Sequence, residues 1–323
     1  MLKSQIPDYE PPTKLGGVIM AMVGITMVVG VISYVIPKIS SSSDEQVALA
    51  EKKVEDDKVK RNEDKLNKTI SEENQKFGYS TQLIDGKPDM NFGKFTVPKH
   101  LIKMTTNYGD LKINVNSTFA PQNVENFVRL ASRNYYKDTI IHRLVKGKDF
   151  TIIQGGDKEK KNGTGGQSAF YVSEEKKNEI PDENWKTKPE FSYNEQGEPT
   201  ALKNNPEFMN PNWYKDFNKE TGEIEYPKGL ILMANIGPNS GNSQFFITLD
   251  KTILPAQYTV FGEIPVEDFG VLDKIQSEVN PTHKDGETLE LLKLRNDPRL
   301  TDDKLTDGLP DKLIQILGTE IVN

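Results

Sequence analysis

The sequence predicts a mainly β globular domain, a barrel or sandwich carrying two helical caps, held behind one membrane-spanning helix and a charged stalk. Three observations predict it. Residues 15–36 form an uncharged run of 22 residues. Residues Asp44 to Asn74 then carry 17 charged side chains in 31 positions. From Pro98 onward, short apolar runs alternate with Gly, Pro and Asn turn signals. The chain has 323 residues, room for one large or two small domains.

At 1.5 Å rise per residue, the uncharged run spans roughly the 30 Å hydrocarbon core of a bilayer. It is longer than the apolar part of a cleaved secretory signal, about 7–15 residues, and no small-residue cleavage site follows it. It therefore reads as an anchor over 15–37, in contact with the lipid bilayer through 15–36. Residues 1–14 then form a short cytoplasmic tail, and the body lies outside the membrane. Lys3 and Lys14 on one side nearly balance Lys38, Lys52 and Lys53 on the other, so the layout rests on the single anchor rather than on charge. Residues 38–97 read as a charged stalk and linker, too polar to bury a core and suited to spacing. Asp85-Gly86 and Lys87-Pro88 mark turns within it.

Residues 98–323 read as one domain. The stretch HLIKMTTNYGDLKINVN alternates apolar and polar residues around Asn107-Tyr108-Gly109-Asp110, which predicts a β-hairpin. Pro121 then opens a helix whose apolar face is Val124, Phe127, Val128 and Leu130-Ala131. Ile140-Ile141, Phe150 to Ile153, Gly229 to Ala234, Gln244 to Leu249 and Thr259 to Ile264 read as strands. Phe269 to Ile275 reads as a second helix, and LIQILGTEIV as a closing strand.

Composition narrows the chemistry. Lys plus Arg is 41 and Asp plus Glu is 48, a net charge of −7, with no basic face of the kind nucleic-acid binding needs. No cysteine is present, which excludes thiolate metal sites, disulfides and thiol nucleophiles. The three histidines, His100, His142 and His283, are too dispersed in sequence to predict a multi-histidine metal centre. What remains is cofactor-free chemistry or plain binding.

Three stretches stand out: IIHRLVKGKDFTIIQGGD (Ile140 to Asp157), NGTGG (Asn162 to Gly166) and GLILMANIGPNSGNSQFFITL (Gly229 to Leu249). In their order, in the count from Asp157 to Asn162 and in the ungapped third stretch they resemble the FHR…QGGD, NGTGG and G-x-L-x-MAN-x-GP-x(4)-SQFFI motifs of the cyclophilins, the peptidyl-prolyl cis-trans isomerases. The resemblance covers roughly residues 98–323. It implies a closed antiparallel cyclophilin-like β-barrel capped by two helices, with proline-containing polypeptides as substrate and no cofactor. It also assigns residues. Arg143 matches the catalytic arginine, and Gln154 the glutamine that supports it and the substrate carbonyl. Phe246 matches the floor of the proline pocket. Gln244 and Asn235 match groups lining the peptide groove, where Gly163 and Ala234 match small residues. His142 is expected to make a structural hydrogen bond.

The chemistry suits this composition. An X-Pro bond has a rotational barrier of roughly 18–20 kcal/mol because the imide nitrogen shares its lone pair with the carbonyl. A donor that hydrogen-bonds that nitrogen withdraws the pair from resonance, and a barrier lower by about 7 kcal/mol gives about 10⁵-fold acceleration. Arginine is suited to this task because it stays charged and its fork is rigid. No proton transfer, metal or covalent intermediate is required.

The match departs from the family in four places. LVKGKDFTI, between Arg143 and Gln154, is three residues longer than usual, so the pocket phenylalanine falls on Thr151. Phe150 is one place away and Ile152 is the next pocket position. After Thr252, Leu254 keeps a leucine wall, Ile253 replaces a tryptophan and Tyr258 takes a histidine position, so weak cyclosporin inhibition is expected. An insertion at about 186–228 reads as a surface loop with its own small core, or as a platform for clients. A second charged insertion, Asn296 to Asp311, shows no chemical signal. Two further readings stay open on the same fold: a non-catalytic peptide-binding chaperone, and a surface scaffold that binds through the insertion.

Overall fold

The computed structural model describes residues 44–89, 99–116, 120–183, 191–193, 199–202, 217–218, 220–282 and 306–322. The anchor predicted over 15–36 and most of the insertion lie outside the described residues. Among the described residues, no helix is long and apolar enough to cross a membrane. The chain divides into two compact units, Met1–Asn62 and Glu63–Asn323.

In chain order, α1 (Asp44–Phe77) precedes a small hairpin of β1 (Gln82–Ile84) and β2 (Lys87–Asp89). Its two-residue turn puts Asp85 and Gly86 at φ 52° and 74°, the mirror-image turn that matches strand twist. Then come β3 (Lys99–Thr106), β4 (Gly109–Asn116), α2 (Pro121–Ser132), β5 (Ile141–Lys146) and β6 (Ile152–Gly155). The insertion contributes β7 (Phe191–Tyr193), β8 (Pro199–Leu202), β9 (Phe217–Asn218) and β10 (Glu223–Tyr226). β11 (Leu230–Met233), β12 (Phe245–Thr248), β13 (Thr252–Pro255), β14 (Val260–Glu263) and α3 (Phe269–Glu278) follow. The chain finishes with β15 (Pro281–Thr282), β16 (Thr306–Pro310) and β17 (Ile316–Val322).

One ten-stranded sheet carries the fold, in the order β15-β16-β5-β6-β12-β11-β14-β4-β3-β17. It is an open half-barrel, not the closed barrel expected. The reason lies at β5, whose outer edge is already paired with β16 over Leu144 to Lys146. The start of β17 meets the approach to β5 rather than β5 itself, through a bridge between Ile140 and Gln315 and backbone hydrogen bonds of Ile316 with Asp138 and Thr139.

β11 and β12 are buried on both faces, which explains why GLILMA and QFFITL read as continuous apolar runs rather than alternating ones. Along β12, Phe245 and Ile247 join a large core with Ile102, Ile113, Phe127 and Phe261, while Phe246 between them points into a second cluster. Along β11, Ile231 and Met233 join the first core, and Leu230 and Leu232 the second. The insertion is not confined to a core of its own. Its β10 pairs with β13 and buries Ile224 and Tyr226 in the second cluster.

α2 packs its apolar face on the first core, but its start is capped from a distance. Ala120 has no capping side chain, and the Glu183 carboxylate instead accepts the N–H groups of Gln122 and Asn123 at 3.1 and 2.9 Å. Burial pushes the Glu183 carboxyl up to about 7, against the pull of these donors.

The larger unit begins at Glu63, inside the segment read as a spacer. Ile70 and Phe77 of α1 are core residues, and a buried ion cluster ties this end of the helix to α2. Arg129, 0% exposed, gives Nη1 to Glu73 at 2.6 Å and Nη2 to Glu125 at 2.6 Å. Its Nη2 also reaches Asn74 at 2.5 Å, and Arg133 holds the Glu73 carboxylate from its other side at 2.6 Å. A segment with few apolar positions is thus buried through paired charge.

Candidate active site

The motif residues meet in one row across the sheet. Arg143 of β5 lies opposite Gln154 of β6, Gln154 opposite Phe246 of β12, and Phe246 opposite Leu232 of β11. Directly opposed residues share a sheet face, so the row puts a cation, an amide and an aromatic ring side by side. The next row on that face runs Val145, Ile152, Thr248. Both rows belong to the face of the second cluster.

Hydrogen bonds orient the polar members. Arg143 donates from Nη1 to Oε1 of Gln154 at 3.3 Å. The Gln154 amide must then present its Nε2, which donates to Oε1 of Gln244 at 3.1 Å. Gln244 in turn donates to the carbonyls of Gly163 and Gly165 at 3.0 and 2.7 Å. The glycine loop is itself held by Asp157, whose carboxylate accepts the N–H groups of Lys160, Asn162, Gly163 and Gly165. Burial raises the Asp157 carboxyl, and the four N–H donors outweigh it, leaving the group below its usual range. Gly163 has φ +89°, and a Cβ there meets Nε2 of His142 at 3.1 Å, so both space and backbone favour glycine.

The apolar part lies beside this relay. Phe246 is buried and meets Tyr258 edge-on, ring centroids 5.2 Å apart. Ile152 and Leu254 are buried in the same cluster, and Phe150, Ala234 and Tyr258 pack against it half-buried. Phe150 precedes the ladder, which starts at Ile152, so the strict alternation of a strand does not apply to it. Thr151 is occupied otherwise. Its hydroxyl donates to the Gly147 carbonyl at 2.8 Å and its N–H to Thr252 at 3.2 Å. The bulge of this hairpin falls at His142, between Ile141 and Arg143. Asn235 stands half-exposed at the edge, its amide donating to the Gln257 carbonyl at 3.4 Å.

Burial pushes the His142 imidazole down to about 4, partly offset by the Asp157 carboxylate and by the neighbouring Gln244 side chain. A histidine whose folded-state value lies below 6.5 binds its proton only in the unfolded chain between the two values. Its contribution to stability is therefore complete above about pH 6.5 and is lost as pH falls towards 4. The expected result is a Tm difference between wild type and His142→Asn that is largest at pH 7.5 and narrows towards pH 5, measured by thermal melts. A constant difference removes this assignment.

The sequence reading missed Asp307. It lies on β16, in the charged insertion that showed no chemical signal, and its carboxylate takes Nε of Arg143 at 2.9 Å and Nη2 at 2.5 Å. Nothing local marks it, because the pairing spans 164 positions.

The family model for "Cyclophilin type peptidyl-prolyl cis-trans isomerase/CLD" matches residues 101–296, more than half of the chain. The chain belongs to the cyclophilin family. Among its relatives, the probable peptidyl-prolyl cis-trans isomerase B of Mycobacterium tuberculosis is 32% identical over 174 residues, 54% of this chain and 46% of the relative. The peptidyl-prolyl cis-trans isomerase CYP18-1 of Arabidopsis thaliana is 33% identical over 175 residues, 53% of this chain and 79% of the relative. A solved cyclophilin type peptidyl-prolyl cis-trans isomerase of Cryptosporidium parvum is 24% identical, covering 70% of this chain and 98% of its own, with a TM-score of 0.43. The chain spans about half the length of the mycobacterial relatives it matches. This cyclophilin carries two features beyond the matched span, the α1 docking region and the β16 segment with Asp307.

Proposed function

We propose that this cyclophilin is a peptidyl-prolyl cis-trans isomerase acting on exported, proline-containing polypeptides at the outer face of a membrane. The observation that carries the catalytic part is the single row Arg143, Gln154, Phe246 on one sheet face. A proline ring seated over Phe246, between the half-buried Phe150 and Tyr258, brings its imide nitrogen towards the guanidinium. An N–H of Arg143 then hydrogen-bonds the nitrogen as it pyramidalises in the twisted transition state, where the lone pair is free to accept. In the planar ground state that pair is delocalised and accepts poorly, so the interaction is differential and lowers the barrier. Gln154 keeps the guanidinium in the row and is itself oriented by Gln244.

A proline-containing tetrapeptide assay on the full chain in detergent tests this reading. Cis-to-trans conversion well above the spontaneous rate is expected, and the spontaneous rate alone overturns it. Peptide binding without acceleration favours the non-catalytic chaperone reading instead.

The membrane part rests on the uncharged run over 15–36, long enough to span a bilayer, and on the charged stretch that follows it. Protease added to intact cells is expected to remove the body. Protection until lysis overturns the outward orientation. With Ile253 where the family has its tryptophan, cyclosporin inhibition is expected to be weak. Low-nanomolar inhibition of the purified protein refutes that expectation.

A further inference from the structure

We propose that Asp307 is a positioning residue for the isomerase site, a carboxylate clamp that holds the Arg143 guanidinium in its working orientation. This rests on the reading of Arg143 as the imide donor. Asp307 is 8% exposed and fixed on β16 by ladder pairing opposite Val145, on the sheet face that also carries Arg143. From this diagonal position its two oxygens take both Nε (2.9 and 3.1 Å) and Nη2 (2.5 Å) of the arginine. The bidentate grip fixes the plane of the fork, which a single hydrogen bond does not.

With Nε and Nη2 held from one side, the Nη1 end is directed at Gln154, which sets the amide relay through Gln244 to the carbonyls of the glycine loop. The relay is held at both ends, by the Asp307 carboxylate on Arg143 and by the Gly163 and Gly165 carbonyls on Gln244. An arginine side chain has four rotatable bonds to order before it can serve a reacting atom. The clamp orders them in advance, so the cost falls on folding rather than on each turnover. Asp307 lies beyond the span matched by the family model, which ends at residue 296.

The test compares Asp307→Asn, Asp307→Ala and Asp307→Glu with wild type in full-length protein, reading kcat and KM separately. Loss of the clamp is expected to lower kcat about tenfold or more with KM within about twofold, because mispositioning by about an ångström has effects of this size or greater. Asp307→Glu is expected to recover most of the rate. A second readout is independent of turnover: the Arg143 Nε–H resonance in ¹⁵N-arginine-labelled protein is expected to exchange slowly with water in wild type and Asp307→Glu, and rapidly in Asp307→Asn. If Asp307→Ala does not fold, Asp307→Asn carries both readouts. An active wild type with unchanged or increased kcat in Asp307→Asn overturns the clamp alone. A wild type no faster than the spontaneous reaction overturns the isomerase reading, and the Arg143 resonance then decides whether the clamp exists.

Discussion

Arg143→Ala is expected to reduce kcat/KM for prolyl isomerisation by at least about tenfold, a loss of about 1.4 kcal/mol or more of transition-state stabilisation, with the fold intact. The substitution removes the only cation in the row with Gln154 and Phe246, while the neighbouring strand pairing is made by backbone groups that alanine retains. It also leaves Asp307 buried without its ion-pair partner, so some loss of Tm accompanies the loss of rate. Activity must therefore be read at a temperature where both proteins are folded, checked by circular dichroism. Turnover equal to wild type under those conditions removes Arg143 from its role. Arg143→Lys separates charge from shape. It keeps the cation but loses the fork, and is expected to remain well below wild type because the bidentate grip of Asp307 cannot form on an ammonium.

Arg129→Ala is the substitution with the largest expected effect on stability. It strips the pairing from Glu125 and half of that from Glu73, two carboxylates that are 3% and 7% exposed. Breaking a buried pair by removing one partner typically costs about 3–5 kcal/mol, since the remaining charge has neither water nor counter-ion. For a chain of this size that is a fall in Tm of about 10 °C. The origin of the cost is testable. Glu125→Gln placed on top of Arg129→Ala is expected to recover part of the loss, because it removes one of the stranded charges. A single-variant loss below about 1 kcal/mol contradicts the view that paired charge fastens α1 to α2.

The parts of this molecule that could be read from the sequence are those whose signals are local. The hairpin around Asn107-Tyr108 shows its alternation within one stretch, and the three motifs bring Arg143, Gln154 and Phe246 onto strands whose pairing follows from the fold. Phe150 was ambiguous because three additional residues removed it from the strand, where the rule of alternate faces does not reach. Other features had no local trace. The end of α1 looks like a solvated spacer because its burial is achieved by Arg129 and Arg133 from a helix more than 50 positions away. Asp307 sits among charged residues that differ from it in nothing but position, and only strand pairing at the sheet edge singles it out. The same pairing explains the open sheet: an edge already occupied by β16 cannot also be closed by β17.

Because the site is laid out across strands rather than along the chain, its dimensions are independent of loop length. Arg143 and Phe246 are separated by two strand spacings, about 10 Å, whether the connection between β5 and β6 is short or carries three more residues. Lengthening that connection changes the rim of the pocket at Phe150 and leaves the distance from cation to ring untouched. On the proposed reading, insertions at the edges of the sheet vary which peptide is gripped, while the spacing between cation and ring stays the same.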